Sequence, residues 1–100
     1  MVRFCIYAKN SMKKIHKKLF KKVLGKFTTG VTVVSINNKG NMIGKTVNSF
    51  TTLSLSPPLV LFSLDKKSSS LIKYKKSKLF GINILAKKQA SISINFAKKN

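Results

Sequence analysis

Acidic side chains are almost absent from this 100-residue sequence: Asp65 is the only one, against 21 basic residues, for a formal charge of +20. A single carboxylate excludes acid–base chemistry by paired carboxylates. Histidine and cysteine occur once each, as His16 and Cys5. That excludes a His/Cys metal cluster and an internal disulfide, which fits the reducing cytoplasm we expect for this chain. No apolar run approaches the roughly 20 residues that cross a bilayer. The N-terminal stretch MVRFCIYAKNSMKK has neither a sustained apolar core nor a small-residue cleavage site, so it does not read as a signal peptide. Glycine-rich phosphate signatures, the P-loop and the dinucleotide fingerprint, are absent. Any catalysis therefore has to come from a bound cofactor that the protein positions and polarises.

What is present is lysine and a moderate apolar content. Hydrophobic residues make up 43% of the chain, enough for one compact domain with a modest core. Every basic residue but Arg3 is a lysine, and the lysines are spread over all segments. Readers of nucleic acid add arginines for bidentate base contacts or aromatics for stacking, and neither pattern occurs. Specific nucleic-acid binding and membrane insertion are not expected, whereas non-specific polyanion binding at low salt is.

Residues 1–11 read as an N-terminal extension and 12–100 as the domain, with Met12 an alternative start to Met1. Ser11 is a fitting N-cap. Ile15, Leu19, Val23 and Phe27 recur every four residues, with lysines between them, which predicts an amphipathic helix docked on a sheet and stopped by Gly30. His16 falls on its polar face. Val31–Ile36 is β-branched and predicts a strand. The turn residues 37–41 (NNKGN) predict a hairpin into Met42–Lys45. Residues 65–70 (DKKSSS) form a loop that caps a helix over Leu71, Ile72 and Tyr74. Phe80–Leu85 is a further strand. In the last segment Ser91–Ile94 alternates as a strand would, while Ala90, Ile94 and Ala97 would share one side of a helix.

The stretch Lys45–Asp65, KTVNSFTTLSLSPPLVLFSLD, organises the rest. Small polar residues (Thr46, Asn48, Ser49, Thr51) lead into alternating Leu53 and Leu55, then a Pro57-Pro58 break and an apolar run from Leu59 to Phe62. This predicts a half-buried strand, a tight connection and a second strand. The stretch resembles the core signature of the flavin reductase-like family. Phe20–Val34 resembles the family's opening helix-to-strand segment, and Phe80–Leu85 its next strand. The resemblance covers about Met12 to Asn100.

That resemblance implies a mainly β fold, the FMN-binding split barrel, Greek-key-like with flanking helices. The helical reading of the last segment also comes from it. By resemblance, Thr46, Val47, Asn48 and Ser49 line the flavin ring and ribityl chain, and Thr51 adds a hydroxyl or an N–H. Ser63 and Leu64 come beneath the ring, and Lys66 and Ser68 reach the phosphate at a helix N-terminus. The cofactor implied is FMN, with FAD an alternative, and NAD(P)H is the co-substrate. The implied activity is an NAD(P)H-dependent flavin reductase that supplies a monooxygenase or another acceptor, and the family is generally a homodimer. Its later half, with a Gly-Asp-His motif near flavin and nicotinamide, has no counterpart here, so the domain is expected to be truncated at its C-terminus.

From the residues alone other readings stay open. The chain could be a small lysine-rich polyanion binder or a fragment that does not fold alone. Lys66 and Ser68 could be ordinary surface residues. Asp65 could cap its loop, and Asn83 could satisfy backbone groups at a strand edge.

Overall fold

The computed structural model describes residues 17–98. The extension at 1–11, the Ser11 cap, Cys5 and His16 lie outside the described residues. The elements in order are α1 (Lys17–Leu24), β1 (Thr32–Asn38), β2 (Asn41–Val47), β3 (Thr51–Leu55), β4 (Pro58–Leu61), α2 (Leu71–Lys76), β5 (Gly81–Ile84), a 3-10 turn (Lys87–Gln89) and α3 (Ala90–Ala97). The predicted order of helix, hairpin, strand pair, helix, strand and helix is therefore the observed one.

β1 is the centre. It pairs antiparallel with β2 and with β5, giving a three-stranded sheet in the order β2-β1-β5, while β3 and β4 form a separate two-stranded ribbon. The β1–β2 hairpin closes across Lys39 and Gly40, whose φ values of 52° and 87° are those of the mirror-image turns that match strand twist. The Asn37 side chain accepts the Gly40 N–H at 2.9 Å and braces the turn.

On one face of the sheet Val34, Ile36 and Val47 pack with Phe62 and Tyr74, with Ile43, Phe50, Leu64 and Phe80 around them. Phe80 holds the aromatic part together. It meets Phe62 edge-on at 5.8 Å and lies nearly parallel to Tyr74 at 6.4 Å. The Tyr74 hydroxyl donates to the Val34 carbonyl at 2.7 Å, so α2 is pinned to the central strand. Burial pushes its phenol up to about 12.

The other face carries α3. An added Cβ at Gly44 would lie 2.7 Å from the Phe96 ring and 3.2 Å from Val33, so glycine is what lets the helix approach β2 closely. The Thr46 hydroxyl donates to the Ser93 carbonyl at 2.6 Å and fixes the helix along the strand.

Several expectations are corrected. α1 ends at Leu24, followed by a turn in which the Gly25 N–H bonds the Lys21 carbonyl. Gly25, not Gly30, follows the helix, and Gly30 is not in the left-handed region. The apolar stripe of α1 is not buried as a docked helix would be: none of the residues of Lys17–Leu24 is buried. β3 is not half-buried, since Leu53 and Leu55 are 56% and 90% exposed. A bulge between Thr52 and Ser54 breaks the alternation, and only the base of the ribbon, flanked by Phe50 and Phe62, reaches the core. The inner side of α3 is formed by Ser93 and Phe96, with Ile94 exposed. Ser70, at the start of α2, makes no side-chain cap bond.

Candidate functional site

The end of β2 and the segment after β4 run side by side and leave a cleft of about 340 Å³, within the size range of small-ligand sites. Lys45, Thr46 and Val47 form one wall. Ser63, Leu64, Asp65, Lys67, Ser68 and Ser69 form the other, and Ala97 of α3 completes the lining. A two-residue period puts Lys45 and Val47 on one face of β2 and Thr46 on the other, which is why Thr46 can bond α3 while Val47 enters the core.

The far wall is set by backbone bonds. The Asp65 carboxylate accepts the Lys67 N–H at 2.9 Å, and the Asp65 carbonyl accepts the Ser68 N–H at 3.0 Å. The open reading of Asp65 as a loop cap is therefore the observed one. The hydroxyls of Ser68 and Ser70 lie 3.0 Å apart. Ser49 Oγ accepts the Ser63 N–H at 2.8 Å and ties the loop after β2 to the chain leaving β4. Asn83 donates to the Val33 carbonyl at 3.3 Å, the backbone role open to it in the sequence.

Of the residues singled out by resemblance, Thr46, Val47, Ser63, Leu64 and Ser68 line this cleft. Asn48, Ser49, Thr51 and Lys66 do not; Ser49 acts on its architecture through Ser63. The wall offers Lys67 where Lys66 was expected. A turn closed on Asp65 sets which of the two lysines faces inward, and no local sequence pattern distinguishes them. Lys45, Asp65, Ser69 and Ala97 were also not among the expected set. Ala97 had no signal, because its place depends on how α3 packs.

Chemically the cleft combines apolar surface from Val47, Leu64 and Ala97 with hydroxyls from Ser63 and Ser68 and cations from Lys45 and Lys67. That combination suits a flat, largely apolar group carrying a polar edge and an anionic tail. No group of three or more metal-ligating side chains occurs among the described residues, and no described helix is long and apolar enough to cross a membrane. A second recess of about 330 Å³, lined by residues such as Val33, Gly44 and Phe96, follows the seam between the sheet and α3 and is more apolar.

Residues 24–100 match the family described as the flavin reductase like domain. The chain is 44% identical over 79 residues to the FMN reductase (NADH) SmoA of Agrobacterium fabrum, covering 79% of this chain and 45% of that protein. It is 40% identical over 86 residues to HsaB of Rhodococcus jostii, the reductase subunit of a flavin-dependent monooxygenase, covering 86% and 44%. Among solved structures, flavin reductase PheA2 superposes with a TM-score of 0.79 at 41% identity, covering 86% of this chain and 56% of that one. The chain thus spans about half the length of the curated relatives it matches, and its mainly β architecture is that of the split-barrel fold. On the extent of the family match and the identity to these proteins, the chain belongs to the flavin reductase-like domain family.

Proposed function

We propose that this chain binds FMN in the cleft between β2 and residues 63–69, as the flavin-holding part of an NAD(P)H-dependent flavin reductase. The observation that carries the reading is convergence. Thr46, Val47, Ser63, Leu64 and Ser68, five of the nine residues selected by resemblance, come from the two segments that flank the β3–β4 ribbon and line one cleft of fitting size. Val47 and Leu64 would hold the ring by apolar contact. Ser63 and Ser68 would bond its polar edge and the ribityl hydroxyls. Lys67 and, from the β2 side of the cleft, Lys45 would hold the phosphate, with Lys66, Asn48, Ser49 and Thr51 contributing from outside the lining. When bound, flavin supplies the redox chemistry, accepting a hydride from NAD(P)H. The chain's own residues position the flavin and set the charge around it.

In this reading reduced flavin passes to a monooxygenase or another acceptor, FAD can replace FMN, the domain comprises residues 12–100 after an 11-residue extension, and the protein works as a cytoplasmic homodimer. Titrating the purified chain with FMN tests the proposal. Saturable quenching of flavin fluorescence is expected. Lys67→Gln should weaken binding about tenfold or more, the loss of one charge-assisted hydrogen bond, while Lys39→Gln in the hairpin turn should leave it unchanged. Equal weakening by both variants would mean that the lysines attract flavin only as a polyanion binder would.

A further inference from the structure

Every residue from Lys17 to Gly30 is exposed, and in α1 that leaves an ordered pattern in contact with solvent. At about 3.6 residues per turn, Phe20, Val23 and Leu24 fall on one side of the helix and Lys18 and Lys21 on the other, with Lys17 and Lys22 at the two borders. The winding continues past Leu24: the Lys26 N–H bonds the Val23 carbonyl at 3.1 Å and the Phe27 N–H bonds the Leu24 carbonyl at 3.0 Å. Phe27 thereby joins the apolar side. Phe20, Val23, Leu24 and Phe27 are 47%, 58%, 55% and 77% exposed. Single apolar residues on a surface are ordinary, but a contiguous cluster rimmed by charge marks a contact.

We infer that α1 lies flat on an anionic phospholipid surface, with Phe20, Val23, Leu24 and Phe27 among the upper acyl chains and Lys17 and Lys22 on the headgroup phosphates. Charge selects this occupant. The chain carries one carboxylate against 21 cations, so a second copy would bring lysines against lysines. A negative layer above an apolar one meets both parts of the helix at once, because lysine stems run along apolar surface while their ammonium groups stay at the phosphates. Size points the same way. Two helical turns cover far less than the roughly 800 Å² per partner of a stable protein interface, whereas a lipid surface needs no matched outline. The helix adsorbs and does not cross, since no described helix is long and apolar enough for that. With so short a stripe neither apolar burial nor charge suffices alone, so binding is reversible and salt-sensitive. It goes beyond flavin binding and does not depend on it.

The test sediments the purified full chain, without flavin, with vesicles of phosphatidylcholine alone and of equal parts phosphatidylcholine and phosphatidylglycerol. The chain should pellet with the mixed vesicles only, and raised salt should release it. Phe20→Ser removes apolar surface and no charge, and should weaken that binding about tenfold or more. Leu55→Ser, at the exposed end of β3, should leave it unchanged. Failure to pellet with the mixed vesicles would overturn the inference. So would binding that Phe20→Ser leaves intact, since the lysines alone would then suffice, or equal weakening by both variants. The sequence contains no tryptophan, so Phe20→Trp gives a second readout that keeps the apolar side intact. Its emission should shift to the blue on mixed vesicles and be quenched by lipids brominated in the acyl chain. Unchanged emission would overturn the inference, as would the same blue shift with heparin, which offers charge without an apolar layer. A blue shift that grows with protein concentration in the chain alone would assign the helix to a second copy and overturn it too.

Discussion

Ser49 serves the cleft through a backbone partner: its Oγ accepts the N–H of Ser63, which lines it. The site is exposed, so water can replace part of a lost bond. Ser49→Ala should therefore cost less than about 1 kcal/mol in urea denaturation, yet weaken FMN binding measurably as Ser63 loosens. Tyr74 is the opposite case, a buried hydroxyl on a central carbonyl. Its phenol is pushed up to about 12 by burial, against about 10 in an unfolded chain. The folded state holds this proton longer, so the contribution is complete below pH 10 and is lost as pH rises through 12. Tyr74→Phe should be less stable by about 1 kcal/mol at pH 7, and its gap to the parent should close between pH 10 and 12 in parallel unfolding curves. Lysine titration is common to both and cancels. Asn83 and Asp65 show what is legible at this scale, because each bonds nearby backbone that its sequence context already suggested. Tyr74 was legible as a helix residue but not as an anchor. Its partner, Val34, is 40 residues away, and no local pattern reports such a contact.

α3 depends on one missing side chain. Gly44→Ala places a methyl group 2.7 Å from the Phe96 ring, and the ring, itself partly exposed, must swing outward. The expected cost is about 1 kcal/mol, the low end for overpacking. Faster amide exchange across residues 90–97 should accompany it. The strands and α2 were legible because their periods and turn residues are local: β-branched runs, NNKGN, the proline pair. α3 was legible only through the family resemblance, since Ser91–Ile94 alternates like a strand while the backbone there is helical. The burial of α1 and β3 was not legible at all. An apolar stripe says that a face suits burial, but whether anything covers it is decided by the rest of the fold.

With one carboxylate against 21 cations, the folded chain repels itself. Screening relieves that repulsion, so NaCl raised from about 20 to 300 mM should increase Tm, by roughly 4–8 °C for each kcal/mol relieved. A flat or falling Tm would mean that the lysines are too dispersed to interact. At this scale the split barrel was legible because several separate segments match the family in the right order. The position of β1 also bears on how the chain matures. One neighbour joins it across Lys39 and Gly40, while the other makes contact 46 residues later, where Ser35 meets Gly81. Hairpins zip within about 1–10 μs, far faster than translation at roughly 5–20 residues per second. During synthesis β1 and β2 therefore wait together for seconds, one flank of β1 open to the ribosomal milieu, before β5 emerges to claim it.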